Sequence, residues 1–110
     1  MKKALVISAP HSKAASGNDF HSFEGIFTSG VGPTYIISDS EREQLPIGSK
    51  VVILDNDYEK RAEAQLKGFS KAEMAGNGQQ RYDVHLDKPK MVPYKKERLN
   101  RNGVAVIDDV

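Results

Sequence analysis

Apolar residues fall along this chain in short runs separated by polar turns. Residues 3–9 hold Ala4, Leu5, Val6 and Ile7 in succession and stop at Pro10, which reads as a buried strand. Residues 34–38 (Thr-Tyr-Ile-Ile-Ser) are rich in β-branched and aromatic side chains and read as another. Gly48 leads into residues 50–54, where Val51, Val52, Ile53 and Leu54 suit a strand covered on both faces. That run is the densest strand signal in the chain. Residues 81–86 alternate, with Tyr82, Val84 and Leu86 on one face. Met91-Val92 reads as a short strand stopped by Pro93, and residues 104–107 as a last buried strand.

Turn residues separate these runs. Gly30-Val31-Gly32-Pro33, Asp55-Asn56-Asp57, the Pro89-containing stretch 87–90 and Asn102-Gly103 all read as turns, and Gly76-Asn77-Gly78 is a strong hairpin signal. Ser38 or Ser40 can cap one or two helical turns that end before Pro46. Residues 95–99 suit a single helical turn.

Two stretches carry the main ambiguity. From Tyr58 to Ala75, alternation puts Ala62, Ala64 and Leu66 on one face and Arg61, Glu63, Gln65 and Lys67 on the other, which is a strand running to Gly68. Tyr58, Ala62, Leu66, Phe69 and Ala72 also make a helical stripe. The strand is the preferred reading; a helix at 58–74 is the alternative and would make the fold α+β. Residues 10–33 form a long Gly/Ser-rich loop, yet Phe20, Phe23, Ile26 and Phe27 must be buried somewhere. A short strand or helical turn near 20–28 would do this.

With 110 residues the chain is expected to be a single domain. Charged residues make up 28% and nearly balance at a net +1, which does not describe a disordered chain. The absence of cysteine excludes a disulfide framework and thiolate zinc sites, and fits a reducing, cytoplasmic setting. Met1-Lys2-Lys3 followed by residues 4–7 imitates a signal peptide, but Ser8, Pro10, His11 and Lys13 cut the apolar run short. No stretch approaches the 18 or so apolar residues of a membrane span, so no membrane partner is expected.

The one charge cluster comprises Lys88, Lys90, Lys95, Lys96, Arg98 and Arg101 against a single acid, Glu97. Tyr58, Tyr82 and Tyr94, beside Arg61, Arg81, Lys95, Lys96, Arg98 and Arg101, would give stacking platforms next to cations, the chemistry of nucleic-acid binding. The plain alternative is a solvated edge with half-buried rim tyrosines. His11, Asp19 and His21 in the 10–33 loop would make a small-ligand or acid/base site if they converge, but their spacing matches no ligand signature. His85 alternates away from the apolar face and reads as a solvent-side residue. Asp55-Asn56-Asp57 lacks the further acids of a calcium loop. Gly30-Val31-Gly32 lacks the lysine and spacing of a phosphate loop, and Ser8, Ser16 and Ser22 have no nucleophile-elbow context. No metal or cofactor is called for.

Several features resemble the strand series of SH3-like and PUA-like small β-barrels. They are Gly48-x-x-Val51-x-x-Leu54, the alternating stretch 61–66, the hairpin at 76–78, Tyr82-x-Val84 and Val92-Pro93-Tyr94. The likeness covers residues 46–107. It implies a mainly β, partly open barrel of five to seven short strands with one or two helical turns. It also implies a binding module for RNA, DNA or protein tails. The Trp and acidic features of peptide-binding SH3 domains are missing, which argues against proline-rich ligands. The expectation is therefore a non-catalytic binding module. Its leading partner is nucleic acid on a basic face at 81–101; a protein-interaction or structural accessory role is the alternative, with the oligomeric state open.

Overall fold

Two parallel strands, β1 (Lys3–Ser8) and β3 (Lys50–Asp55), lie side by side and are buried on both faces. Ala4 to Ile7 and Val51 to Leu54 are each at most 1% exposed. Such uninterrupted apolar runs form strands because covering both faces removes the need for a polar alternate. The structure is a computed structural model that describes residues 2–9, 22–56, 58–74, 78–100 and 103–109. The protein is mainly β. Its described strands form one six-stranded sheet in the order β2-β5-β4-β3-β1-β6, completed by β2 (Val31–Ile36), β4 (Lys60–Met74), β5 (Gln80–Val92) and β6 (Val104–Asp108). β1 and β3 are the parallel neighbours; the other pairings are antiparallel.

The sheet is not closed, but it rolls strongly. β2, at one edge, folds over β1, four places away in the order. Tyr35 Oη donates to the Ser8 carbonyl at 2.6 Å. At Gly32 the approach is so close that an added Cβ would lie 2.7 Å from Ile7 Cδ1. The concave side of the roll holds the main core, which includes Leu5, Ile7, Val51, Ile53, Ala62, Leu66, Val84 and Val104. Helix α1 (Phe23–Ser29) adds Phe23 and Ile26 to it. Its N-cap Ser22 accepts from the Gly25 amide at 3.0 Å, and Gly30 closes its C-terminus at φ 73°. Helix α2 (Asp39–Glu43) is only five residues long and is set by a capping box between Ser38 and Glu41.

Both edges of the sheet are blunted. On β2, the Ser29 hydroxyl accepts from the Val31 amide at 3.2 Å and donates to its carbonyl at 3.4 Å, and Pro33 has no N–H to offer. On β6, the Asn100 amide and side chain engage the Val104 carbonyl and amide at 2.9 and 3.2 Å. Such devices leave an edge few groups on which another chain can pair.

Several expectations are met and several are corrected. Residues 60–74 are a strand, and the helical alternative is absent. Gly68, at φ 150°, sits at a register shift against β5 that lets the strand continue. The second half of the 10–33 loop is α1 followed by the start of β2. Gly30-Val31-Gly32-Pro33 is thus not a free turn: Gly32 is part of β2, where an added Cβ would press on Ile7 Cδ1 and the Tyr35 ring. Residues 87–90 are not a turn either. β5 runs through them, taking the extra residue into a bulge where Lys88 stands at φ 52°. Residues 95–99 form no helical turn; they are an irregular extended segment. The Gly76-Asn77 turn, Asp57 and Asn102 lie outside the described residues.

Candidate nucleic-acid interface

The convex side of β1 and β3 presents Val6, Val52 and Leu54, a second and smaller apolar cluster. A strap, residues 93–100, crosses it and supplies Tyr94 and Leu99 as cover. The strap has no regular backbone hydrogen-bond ladder, so side chains hold it down. Arg61, projecting from β4 on this side, is 7% exposed. Its Nη1 donates to the Lys95 carbonyl at 3.0 Å and to Glu97 Oε2 at 2.9 Å. Tyr94 Oη donates to Asn56 Oδ1 at 2.7 Å. Partial desolvation, with the nearby Glu59 and Asp55 carboxylates, pushes the Tyr94 phenol above its usual pKa.

This anchoring sorts the strap's charges. Glu97, its one acid, turns inward to Arg61 and has a side chain only 13% exposed. Lys95, Lys96 and Arg98 face outward and are exposed. Lys88 and Lys90, from the β5 bulge, are exposed as well. None of these five cations forms an ion pair among the described residues. The outer surface here is therefore more basic than the sequence balance suggests.

The ion-pair network continues along the sheet. Glu63 lies 3.6 Å from Arg61 through Oε2 and 3.7 Å from Lys50 Nζ through Oε1, and Lys50 reaches Asp109 at 3.0 Å. The hydrogen bond from Asp109, helped by the charges of Glu63 and Asp109, raises the Lys50 pKa against the opposing effects of burial and Arg61. Beside this network lies an open groove of about 410 Å³, lined by Gly48, Lys50, Glu63, Gln65, Lys88 and Lys90 among others. It adjoins a second groove of about 560 Å³, which shares Gly48, Lys50 and Asp109 and extends past Lys2 and Lys3.

The expected site residues divide accordingly. Lys95, Lys96 and Arg98 lie together on the outward face of the strap. Arg61 is beneath it and Tyr94 is one of its tethers, so neither offers a surface group. Tyr82 and Arg81 lie at the opposite end of β5, ten strand positions or on the order of 30 Å of chain from Val92. There the Arg42 guanidinium covers the Tyr82 ring at 4.1 Å. Arg81 is half-buried, with an Nε that has no hydrogen-bond partner. Tyr58 is exposed in the β3–β4 turn. Arg101 lies outside the described residues, as do His11, Asp19 and His21. His85 is half-buried, with Nε2 2.7 Å from Ser70 Oγ on the side away from the core. Among the described residues no three His, Asp or Glu side chains gather as metal ligands, and no helix is long and apolar enough to cross a membrane.

Sequence reasoning placed Lys50 and Glu63 in strands but not in a site, because their meeting with Asp109 depends on pairings between distant segments. No protein-family model matches this chain, and no curated protein or solved structure is significantly similar to it.

Proposed function

We propose that the protein is a non-catalytic module that binds the phosphate backbone of nucleic acid on its convex face. The carrying observation is the sorting of charge by the strap: Glu97 is turned in to Arg61 while Lys95, Lys96 and Arg98 are turned out. Exposed cations without protein partners can exchange condensed counterions for phosphates, and releasing those ions drives binding. The likeness to SH3-like and PUA-like barrels, which implies a binding module, points the same way. A role in protein interaction finds less support. The large exposed apolar residues Ile47, Tyr58 and Met91 sit on separate turns and strands, and each sheet edge is blunted at one end, by Ser29 and Pro33 on β2 and by Asn100 on β6.

With Tyr82 covered and Tyr94 tethered, recognition on this face is of phosphates more than of stacked bases. The test is fluorescence anisotropy with labelled mixed-sequence oligonucleotides from 50 to 200 mM salt. Five phosphate contacts give a slope of log K against log salt of about −3.5 for single strands, at about 0.7 per contact. The K95A/K96A/R98A variant should bind more weakly, with a slope shallower by about 2. Absent binding, or binding indifferent to salt, contradicts the reading.

A further inference from the structure

The β5 bulge has an unusual consequence for two of the five cations. Between the pairs Glu63–Lys90 and Gln65–Asp87, β5 spends one residue more than β4. Lys88 takes up the difference at φ 52°, a conformation that L-residues with side chains seldom adopt. Bulges of this kind re-aim side chains, and strained backbone at a surface groove is a pointer to function. Here Lys88 and Lys90 both border the groove, and Lys50 stands across it. Opposite the bulge, Gly48 (φ 95°) leaves the groove open, since an added Cβ would meet nothing within 4 Å. Glu63 and Gln65 supply acceptors and an amide donor along the floor.

Resting on the phosphate-binding reading above, we propose that this groove takes one nucleotide of a single-stranded nucleic acid. The phosphate sits between Lys88 and Lys90, and the base edge lies toward Gln65. The volume, about 410 Å³, is that of a small-ligand site. A strand emerging from the groove meets Lys95 and Lys96 on the strap, to which the Arg61–Glu63–Lys50 network joins it. A duplex keeps its phosphates on the outside of a stiff cylinder. It can lie across the strap but cannot enter the groove. The module should therefore hold single strands by strap and groove together, and duplexes by the strap alone.

The test compares one mixed-sequence RNA, the DNA of the same sequence, and the DNA duplex, each against wild type, K88Q/K90Q and K95A/K96A/R98A. Lys88→Gln keeps a long polar side chain at the strained position, so the bulge is retained while the charge is removed. For both single strands, K88Q/K90Q should lower the salt slope by about 1.4, two phosphate contacts at about 0.7 each, and leave duplex binding within a factor of about two. The strap variant should weaken all three ligands. Amide signals of Gly48 and Gln65 should shift with either single strand and stay put with the duplex. If wild type binds but K88Q/K90Q weakens duplex and single strands alike, or the groove amides stay put with single strands, the groove assignment is overturned and the strap reading stands. If wild type binds no oligonucleotide, the strap reading fails and takes the groove with it.

Discussion

Arg61 Nη1 and Glu97 Oε2 meet at 2.9 Å beneath the strap, midway between its Tyr94 and Asn100 tethers. The same nitrogen takes the Lys95 carbonyl, so one guanidinium fixes both the path of the strap and the direction of its acid. Removing Arg61 leaves Glu97 nearly buried and unpaired, which is costlier than losing a surface ion pair. We expect Arg61→Ala to lower unfolding stability in urea by about 3 kcal/mol. Glu97→Gln keeps an acceptor for Arg61 and should cost less, about 1 kcal/mol. In the Arg61 variant, amides of residues 94–100 should exchange faster while those of β1 and β3 stay protected; a uniform change across the sheet would argue against a strap held by this residue.

The roll of the sheet makes its own demand at Gly32. An added methyl at Gly32 collides with Ile7 Cδ1 and crowds Tyr35, 3.2 Å away. Gly32→Ala should destabilise by about 1–3 kcal/mol through overpacking. Ile7→Val removes the colliding carbon at a cost of about 1 kcal/mol by itself. In that background Gly32→Ala should cost clearly less, and purely additive penalties in the double variant would contradict the close approach of β2 to β1.

Tyr35 links the same two strands through Ser8 and sets an alkaline limit. Burial raises its phenol well above the usual value of 10.0. The folded state then holds this proton at pH values where the unfolded chain has lost it. The associated stability is fully present below about pH 10 and is lost as pH rises above it toward the folded pKa. Tyr35→Phe should cost about 1 kcal/mol at pH 7 for the lost hydrogen bond. Its stability should then fall less steeply than wild type between pH 10 and 11, and parallel alkaline limbs would rule out this origin.

Asn100 caps the open edge of β6. With both edges blunted, wild type should sediment as a monomer. Asn100→Ala uncovers the Val104 amide, while the backbone N–H of residue 100 still reaches the Val104 carbonyl, and should raise self-association at high protein concentration. Wild-type dimers at low concentration would show that the caps do not have this effect.

The sequence is most legible where one physical cause acts locally. The apolar runs of β1 and β3 announced buried strands, and Ser38 or Ser40 ahead of Pro46 announced the short helix α2. Alternation at 61–66 outweighed the helical stripe because Ala62, Ala64 and Leu66 all meet the core on one face. Legibility ended where distant segments meet. Alternation put Arg61 on the face away from the core, but only the fold shows that the strap buries that face. Nothing local marks Glu97 as the inward acid among outward lysines. The Pro89-containing stretch 87–90 read as a turn, although a bulge carries β5 through it. Gly32 read as a turn residue because its neighbour in space, Ile7, is 25 positions earlier in the chain.

The sorting of charge by the strap is tested most directly by assigning the amide spectrum and titrating the protein with a short mixed-sequence oligonucleotide at low and moderate salt. The signals expected to move are those of Lys88, Lys90, Lys95, Lys96 and Arg98, with shifts that shrink as salt rises, while Tyr82 and Lys71 at the far end of the β4–β5 ribbon stay still. Movement centred on Tyr82, or none at all, would contradict a convex binding face.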